Sequence, residues 1–263
     1  TLSNCNRAFS YGDGVFETLK IHNHSVLFLE DHYFRLMASM RIVRMQIPAD
    51  FTLEYFESQL LTLTDALGIS ESARVRFTVF RKDGGYYLPQ TREVSFVIQA
   101  TQLESKEYQC NEVPYEVDLY KDFYIPKQLL STLKTTNKMI QVTGSIFASE
   151  NGLENCLLLN NEKNVVEALN GNLFMLNGNQ LLTPPIDEGC LNGIMRKQIL
   201  QLANKMDRIE VIEKIISPFD LQKADELFIT NVISGIQPVT RYRKKEFTTS
   251  FSNELLQMLN GLI

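Results

Sequence analysis

Between Thr101 and Asn111 the chain turns polar, with Gln102, Glu104, Ser105, Lys106, Glu107 and Gln109 in close succession. That run predicts a break between two folding units rather than one continuous core. At 263 residues the chain is long enough to bury two. The expected division is a small unit over residues 1–101, a linker over 102–113 and a larger unit over 114–263.

The first half reads as strands packed with two helices, an α+β unit. Val15 to Leu29 form two extended stretches with a turn through His22-Asn23-His24-Ser25. Asp31 is the expected N-cap of a helix running through Phe34, Leu36, Met37 and Met40 to about Arg44, and Pro48 bars its continuation. Leu53, Phe56, Leu60, Leu63 and Leu67 recur at spacings of three and four, which predicts a second helix ending at Gly68. Val75, Phe77 and Val79 alternate with Arg74, Arg76 and Thr78, the pattern of a strand with one buried face. A turn at Asp83-Gly84-Gly85 leads to a returning strand over Val94–Ala100.

The second half alternates more, as expected of an α/β arrangement. Strands are predicted over Tyr115–Phe123, Cys156–Asn160, Leu173–Leu176, Ile209–Ile216 and Leu227–Thr230. Helices are predicted from about Thr136 to Asn151, over Gly193–Met206, over Pro218–Ala224 and over Ser252–Leu259.

Several function classes are disfavoured. A formal net charge of −5 argues against a broad nucleic-acid footprint, and Arg241-Tyr242-Arg243-Lys244-Lys245 reads as a solvated turn between strands. No apolar run approaches the roughly 20 residues a membrane span needs. Thr1-Leu2-Ser3-Asn4-Cys5-Asn6-Arg7 has no signal-peptide apolar region. Cys5, Cys110, Cys156 and Cys190 lie far apart, so neither a disulfide framework nor structural zinc is expected, and a reducing cytoplasm is the default setting. The nucleophile elbow, the phosphate loop and the dinucleotide fingerprint are all missing. With only His22, His24 and His32 present, a metal site is not expected, and attention shifts to Lys, Arg, Tyr and carboxylates.

Lys134 stands out in Leu133-Lys134-Thr135-Thr136-Asn137 because of three segments downstream of it. Glu167 lies between Val165-Val166 and Ala168-Leu169, where a carboxylate is costly unless something positive meets it. A protonated pyridine nitrogen or a plain salt bridge would serve. The helix opening at Gly193-Ile194-Met195 offers backbone N–H groups for a phosphate, although a simple glycine turn reads the same way. The turn at Thr230-Asn231-Val232 is equally ambiguous, and Arg35 is either a surface residue or a phosphate clamp. A lysine, a carboxylate and two phosphate-cradling turns in that order suggest an aldehyde cofactor with a charged tail.

Together with Arg7-Ala8-Phe9-Ser10-Tyr11-Gly12-Asp13-Gly14-Val15-Phe16-Glu17-Thr18 and His32-Tyr33-Phe34-Arg35-Leu36, these segments resemble the fold-type IV enzymes that use pyridoxal 5′-phosphate (PLP), the class-IV aminotransferase and lyase superfamily. The resemblance runs over nearly the whole chain and implies that family's two-domain α+β and α/β fold. It implies that Lys134 holds PLP as a Schiff base and shuttles protons, and that Glu167 pairs with the ring nitrogen. Arg35, Gly193, Ile194, Met195, Asn231 and Val232 would bind the phosphate. A small-molecule amine or amino acid would be the substrate, and a homodimer the assembly.

Within the superfamily the lysine and Asn192-Gly193-Ile194-Met195-Arg196 segments look most like 4-amino-4-deoxychorismate lyase. Branched-chain aminotransferases usually carry Thr where Met195 stands and Tyr where Met139 stands. D-amino-acid aminotransferases carry an Arg-x-His trap that Arg81-Lys82-Asp83-Gly84-Gly85-Tyr86-Tyr87 lacks. The arginine that lyases often place after those glycines is also missing. Recognition of the substrate carboxylate therefore stays open among Arg81, Lys82, Tyr87 and a partner subunit, with Tyr11 and Thr18 as further substrate candidates.

Overall fold

The computed structural model describes residues 3, 5–109 and 113–263. Cys110, Asn111 and the rest of the 110–112 part of the expected linker lie outside the described residues, as do Thr1, Leu2 and Asn4. Contacts divide the chain into two compact units, Thr1–Glu107 with Leu133–Lys138, and Tyr108–Thr132 with Met139–Ile263.

The first unit is a four-stranded antiparallel sheet in the order β2-β1-β3-β4, formed by β1 (Gly14–His22), β2 (Ser25–Val26), β3 (Ser72–Arg81) and β4 (Val94–Gln102). A short helix, α1 (Arg7–Tyr11), precedes it, and α2 (Leu29–Ile42) and α3 (Leu53–Ala66) follow β2. Strand alternation sends Val15, Leu19 and Ile21 of β1 and Val75, Phe77 and Val79 of β3 into one core with Leu36, Met40, Phe56 and Leu60. Phe77 anchors that core, with ring centroids 4.9 Å from Phe56 and 4.8 Å from Phe96. The same alternation puts Phe16, Thr18, Arg76 and Thr78 on the opposite face.

Three expectations for this half need correction. Asp31 is not the N-cap of α2; Phe28 takes that place in a left-handed conformation (φ 55°), and the helix opens at Leu29. Glu30 and Asp31 fall in its first turn, where the exposed N–H groups favour carboxylates. Gln102 belongs to β4, paired with Ala73, rather than to a linker. Thr136 does not start a helix: its N–H bonds the Gly14 carbonyl at 2.9 Å and its hydroxyl bonds the Gly12 carbonyl at 2.9 Å. Those bonds hold the backbone extended, and α4 (Met139–Glu150) begins three residues later.

The second unit holds two five-stranded sheets. One runs β10-β9-β8-β11-β12, from β8 (Asn172–Asn177), β9 (Gln180–Thr183), β10 (Glu210–Glu213), β11 (Glu226–Asn231) and β12 (Gly235–Val239). The other runs β14-β13-β5-β6-β7, from β5 (Glu116–Ile125), β6 (Asn155–Asn160), β7 (Val165–Ala168), β13 (Arg241–Tyr242) and β14 (Lys245–Glu246). Val117, Leu157, Val165, Leu173, Leu227 and Tyr242 share one buried cluster from both sheets. Three helices complete the unit, α4, α5 (Ile194–Ala203) and α6 (Ser250–Asn260).

Here the periodicity misses β7, β9 and β12, which span only four or five residues each and so show too little alternation to register. The strand expected over Ile209–Ile216 is cut to β10, because Ile216 leaves the sheet to bridge Val165. Pro218–Ala224 condenses to a single 3₁₀ turn at Asp220–Lys223. The basic cluster 241–245 is a turn between β13 and β14, as expected, with Arg241 paired to Glu116 and Arg243 to Asp118.

Candidate active site

In the first unit, residues 133–138 lie alongside the start of β1. Phe16 N–H donates to the Lys134 carbonyl at 2.8 Å, and Val15 and Thr135 form an isolated bridge. Gly14 makes that approach possible, since a Cβ there would stand 3.0 Å from the Val79 carbonyl and 3.1 Å from Thr136 Cγ2. The backbone bond at Phe16 sets the side chain of Lys134 on the non-core face of the sheet, with Nζ 4.9 Å from the centroid of the Phe16 ring.

A second cation shares that ring. The Arg76 guanidinium carbon lies 3.6 Å from the same centroid, and Arg76 Nε donates to Thr78 Oγ1 at 3.2 Å. Thr18 is directly across the ladder from Arg76 and is buried. Burial, then the neighbouring Arg74, pulls the Arg76 pKa down. Among the described residues no carboxylate pairs with Arg76. Phe16, Thr18, Arg76 and Lys134 thus form one face carrying an amine and an unbalanced guanidinium. An anion would be welcome there.

The alternation reading assigns Arg76 to a strand's polar face and goes no further. Its signal was present, but only the long-range placement of 133–138 shows which face matters.

Arg35 lies on the core side of β1. Its Nε and Nη2 meet Glu17 at 2.8 and 2.5 Å, and His32 Nδ1 meets the same carboxylate at 2.8 Å. Burial works against a charged Glu17, yet Arg35 and the His32 hydrogen bond overcome it and hold the pKa at about 2. Burial likewise lowers the pKa of His32, against the pull of Glu17, so its imidazole is neutral at pH 7.

Arg81 is engaged within the first unit. Its Nε and Nη2 bond Asp13, and Nη1 and Nη2 reach the Arg44 and Val43 carbonyls at 3.1 and 2.9 Å. Those donors brace the scaffold. Lys82 pairs at the surface with Glu93 at 2.7 Å. Asp13 also binds Arg7, and Arg7 Nη1 grips the carbonyls of Gly84, Gly85 and Tyr86 at 3.1, 3.3 and 2.6 Å. The loop so held presents Tyr86, Tyr87 and Leu88 at 84, 91 and 84 % exposure. Tyr87 is 5.8 Å from the half-exposed Tyr11 ring.

In the second unit the remaining candidates converge on one residue, Asn172. Its Nδ2 donates to the Leu191 carbonyl at 2.8 Å, while Leu191 N–H donates to Glu167 Oε2 at 2.8 Å. Asn172 is also paired with Thr230 across the β8–β11 ladder. A Cβ on Gly193 would stand 2.0 Å from Asn172 Oδ1, so only glycine lets the start of α5 come this near. Glu167, the Gly193-Ile194-Met195 helix start and the turn after Thr230 are therefore gathered around a side chain whose role the motif alone does not disclose.

The chemistry of this group suits a phosphorylated, protonated heterocycle. Glu167 is buried and fixed by a backbone donor, and α5 opens on Gly193, an N-cap residue with no side chain to cover its first N–H groups. Thr230 Oγ1 is buried and has no hydrogen-bond partner among the described residues. Asn231 Oδ1 accepts from Ile233 and Ser234 N–H at 3.0 and 2.9 Å, which ties the side-chain oxygen to shaping its own turn. Burial, then the Glu167 carboxylate, pushes the Cys190 thiol up to about 12, so Cys190 stays a protonated filler.

Among the described residues no group of three or more His, Cys, Asp or Glu side chains could hold a metal ion. Nor is any described helix long and apolar enough to cross a membrane.

Residues 14–242 match the family described as amino-transferase class IV. A Methanocaldococcus jannaschii protein named as a branched-chain-amino-acid aminotransferase is 29 % identical over 241 residues, covering 87 % of this chain and 78 % of its own. Among solved structures, the 4-amino-4-deoxychorismate lyase of Pseudomonas aeruginosa superposes with a TM-score of 0.84 at 25 % identity, covering 99 % of this chain and 95 % of the lyase. The branched-chain aminotransferase of Thermobaculum terrenum, solved in its PLP form, superposes with a TM-score of 0.88 at 21 % identity, covering 100 % of this chain and 88 % of its own. The mixed α+β fold is that of fold-type IV PLP enzymes.

Proposed function

We propose that this chain, which belongs to the class IV amino-transferase family, is a PLP-dependent lyase converting 4-amino-4-deoxychorismate into 4-aminobenzoate and pyruvate. When bound, PLP supplies the electron sink for the charge left at the substrate's amine-bearing carbon. Lys134 would hold the cofactor covalently through Nζ and take the proton from that carbon. The substrate's bond to its enolpyruvyl group then breaks, its ring becomes aromatic, and the leaving group gains a proton to become pyruvate. Glu167, oriented by Leu191 N–H, would hold a proton on the ring nitrogen.

Arg35, held by Glu17 through Nε and Nη2, would bring a guanidinium to the cofactor's phosphate. The start of α5 and the turn at Asn231-Val232 would supply main-chain donors to the same phosphate.

The observation that carries this reading is the shared Phe16 face, where an amine stands beside a guanidinium that has no counter-carboxylate among the described residues. Carbonyl chemistry needs the first, and a carboxylate-bearing substrate needs the second. Replacing Arg76 by Leu should raise KM for the carboxylate substrate about ten- to a hundredfold, the worth of a charge-assisted hydrogen bond. The visible cofactor band should stay. An unchanged KM would send the carboxylate elsewhere.

Transamination is the second reading, favoured by the names of the sequence relatives. Lys134 would then return the proton to the cofactor instead of releasing a leaving group. Two residues lean towards the lyase: Met195, fully buried, and Met139, 66 % exposed, stand where branched-chain aminotransferases usually carry hydroxyls. Product analysis separates the two. Incubation with aminodeoxychorismate should yield 4-aminobenzoate, and incubation with L-leucine or D-alanine plus 2-oxoglutarate should yield no glutamate. Glutamate without 4-aminobenzoate would reverse the assignment. The reading also makes the enzyme a cytoplasmic homodimer, and sedimentation of the purified protein checks the assembly.

A further inference from the structure

Tyr108 opens the second unit from a stretch that the composition marks only as linker. Its ring is 3 % exposed, and its main chain is clasped by the last residue of α6. Tyr108 N–H donates to Asn260 Oδ1 at 3.0 Å, and Asn260 Nδ2 donates to the Tyr108 carbonyl at 2.8 Å. The ring lies against Gly235, the residue that closes the turn after β11. A Cβ on Gly235 would stand 2.7 Å from the ring, and Gly235 has φ 69°, so glycine is required there twice over. The Tyr108 hydroxyl donates to the Val232 carbonyl at 3.0 Å.

The turn is therefore held at two points. From within, Asn231 Oδ1 binds the N–H groups of Ile233 and Ser234. From outside, the phenol pins the Val232 carbonyl, and with it the peptide plane between Val232 and Ile233. Burial raises the Tyr108 pKa, which keeps the hydroxyl a donor.

We propose that Tyr108, itself held by Asn260, is a positioning residue that presets the Asn231–Ser234 turn to receive the cofactor's phosphate. The inference rests on the reading that this turn binds phosphate. Tyr108 would touch no ligand; it would fix the donors that do, so that binding need not order them.

The test uses the full-length apoenzyme, with PLP and pyridoxal, which lacks the phosphate, each titrated into wild type and Tyr108→Phe. The substitution keeps the ring and deletes one hydrogen bond. PLP should bind about fivefold more weakly, the usual net worth of such a bond, while pyridoxal affinity stays put. Asn260→Ala should shift the same ratio in the same direction, providing a second route should the first variant fold poorly. A merely structural tyrosine would weaken both ligands alike or neither, and an unchanged ratio would overturn the inference while leaving the cofactor reading intact. Wild type that takes up neither compound would overturn both.

Discussion

Lys134→Ala should abolish the yellow absorption of the PLP-loaded protein and cut turnover by on the order of 10²- to 10⁴-fold, the usual reach of a positioned proton-transfer group. The fold should survive. The bond that residue 134 makes to β1 comes from its main-chain carbonyl, which alanine keeps, and the side chain lies on the non-core face of the sheet. Loss of the band with an unchanged melting temperature is thus the expected pair of results. Borohydride reduction followed by peptide mapping makes the test sharper, because the reduced adduct should appear on the peptide containing residue 134. Lys127 and Lys138 are the nearest alternatives in sequence, and Lys127 is already paired with Glu162 and Glu188. A coloured, reducible Lys134→Ala protein would move the chemistry to one of those lysines.

Glu17→Gln should cost about 3–5 kcal/mol, the usual penalty for breaking one side of a buried ion pair. That is a large share of a typical domain's stability. The loss arises because the Arg35 guanidinium, 12 % exposed, loses the carboxylate that its Nε and Nη2 hold. Acid should reproduce the effect in the wild type. The Glu17 pKa is held at about 2 against an ordinary 4.5, so the pair contributes fully above 4.5 and is lost as pH falls towards 2. His32 acts in the same direction. Its pKa lies below the ordinary 6.5, so the unfolded chain takes up its proton first and stability begins to fall below pH 6.5. Urea midpoints between pH 7 and pH 3 should fall steeply in wild type and less steeply, from a lower start, in Glu17→Gln. Parallel curves would show that Glu17 carries no such charge.

Much of the fold was legible because local signals agreed with one another. The spacing from Leu53 to Leu67 and the glycine after it give α3 almost to the residue, and the alternation around Phe77 gives the centre of β3. What stayed hidden was long-range. Nothing near Thr136 announces that Gly12 and Gly14 carbonyls will keep it extended, so the helix was expected three residues too soon. Arg76 was visible as a polar-face residue, but its meaning depends on a lysine 58 positions later arriving at the same aromatic ring. Tyr108 was invisible for a different reason: it sits in a polar stretch, where an aromatic draws no attention until its hydroxyl is seen on Val232. Glu17 is one polar residue in a strand-like motif, and the burial that makes it matter cannot be read from its neighbours.

The way Arg7 grips its loop has an evolutionary consequence. The guanidinium takes hold of oxygens belonging to the peptide chain at positions 84 to 86, which every amino acid supplies, while the side chains of Tyr86, Tyr87 and Leu88 project outward. Mutations at those three tips can therefore accumulate without loosening the anchor. A lineage could retune what the loop greets while inheriting its position unchanged.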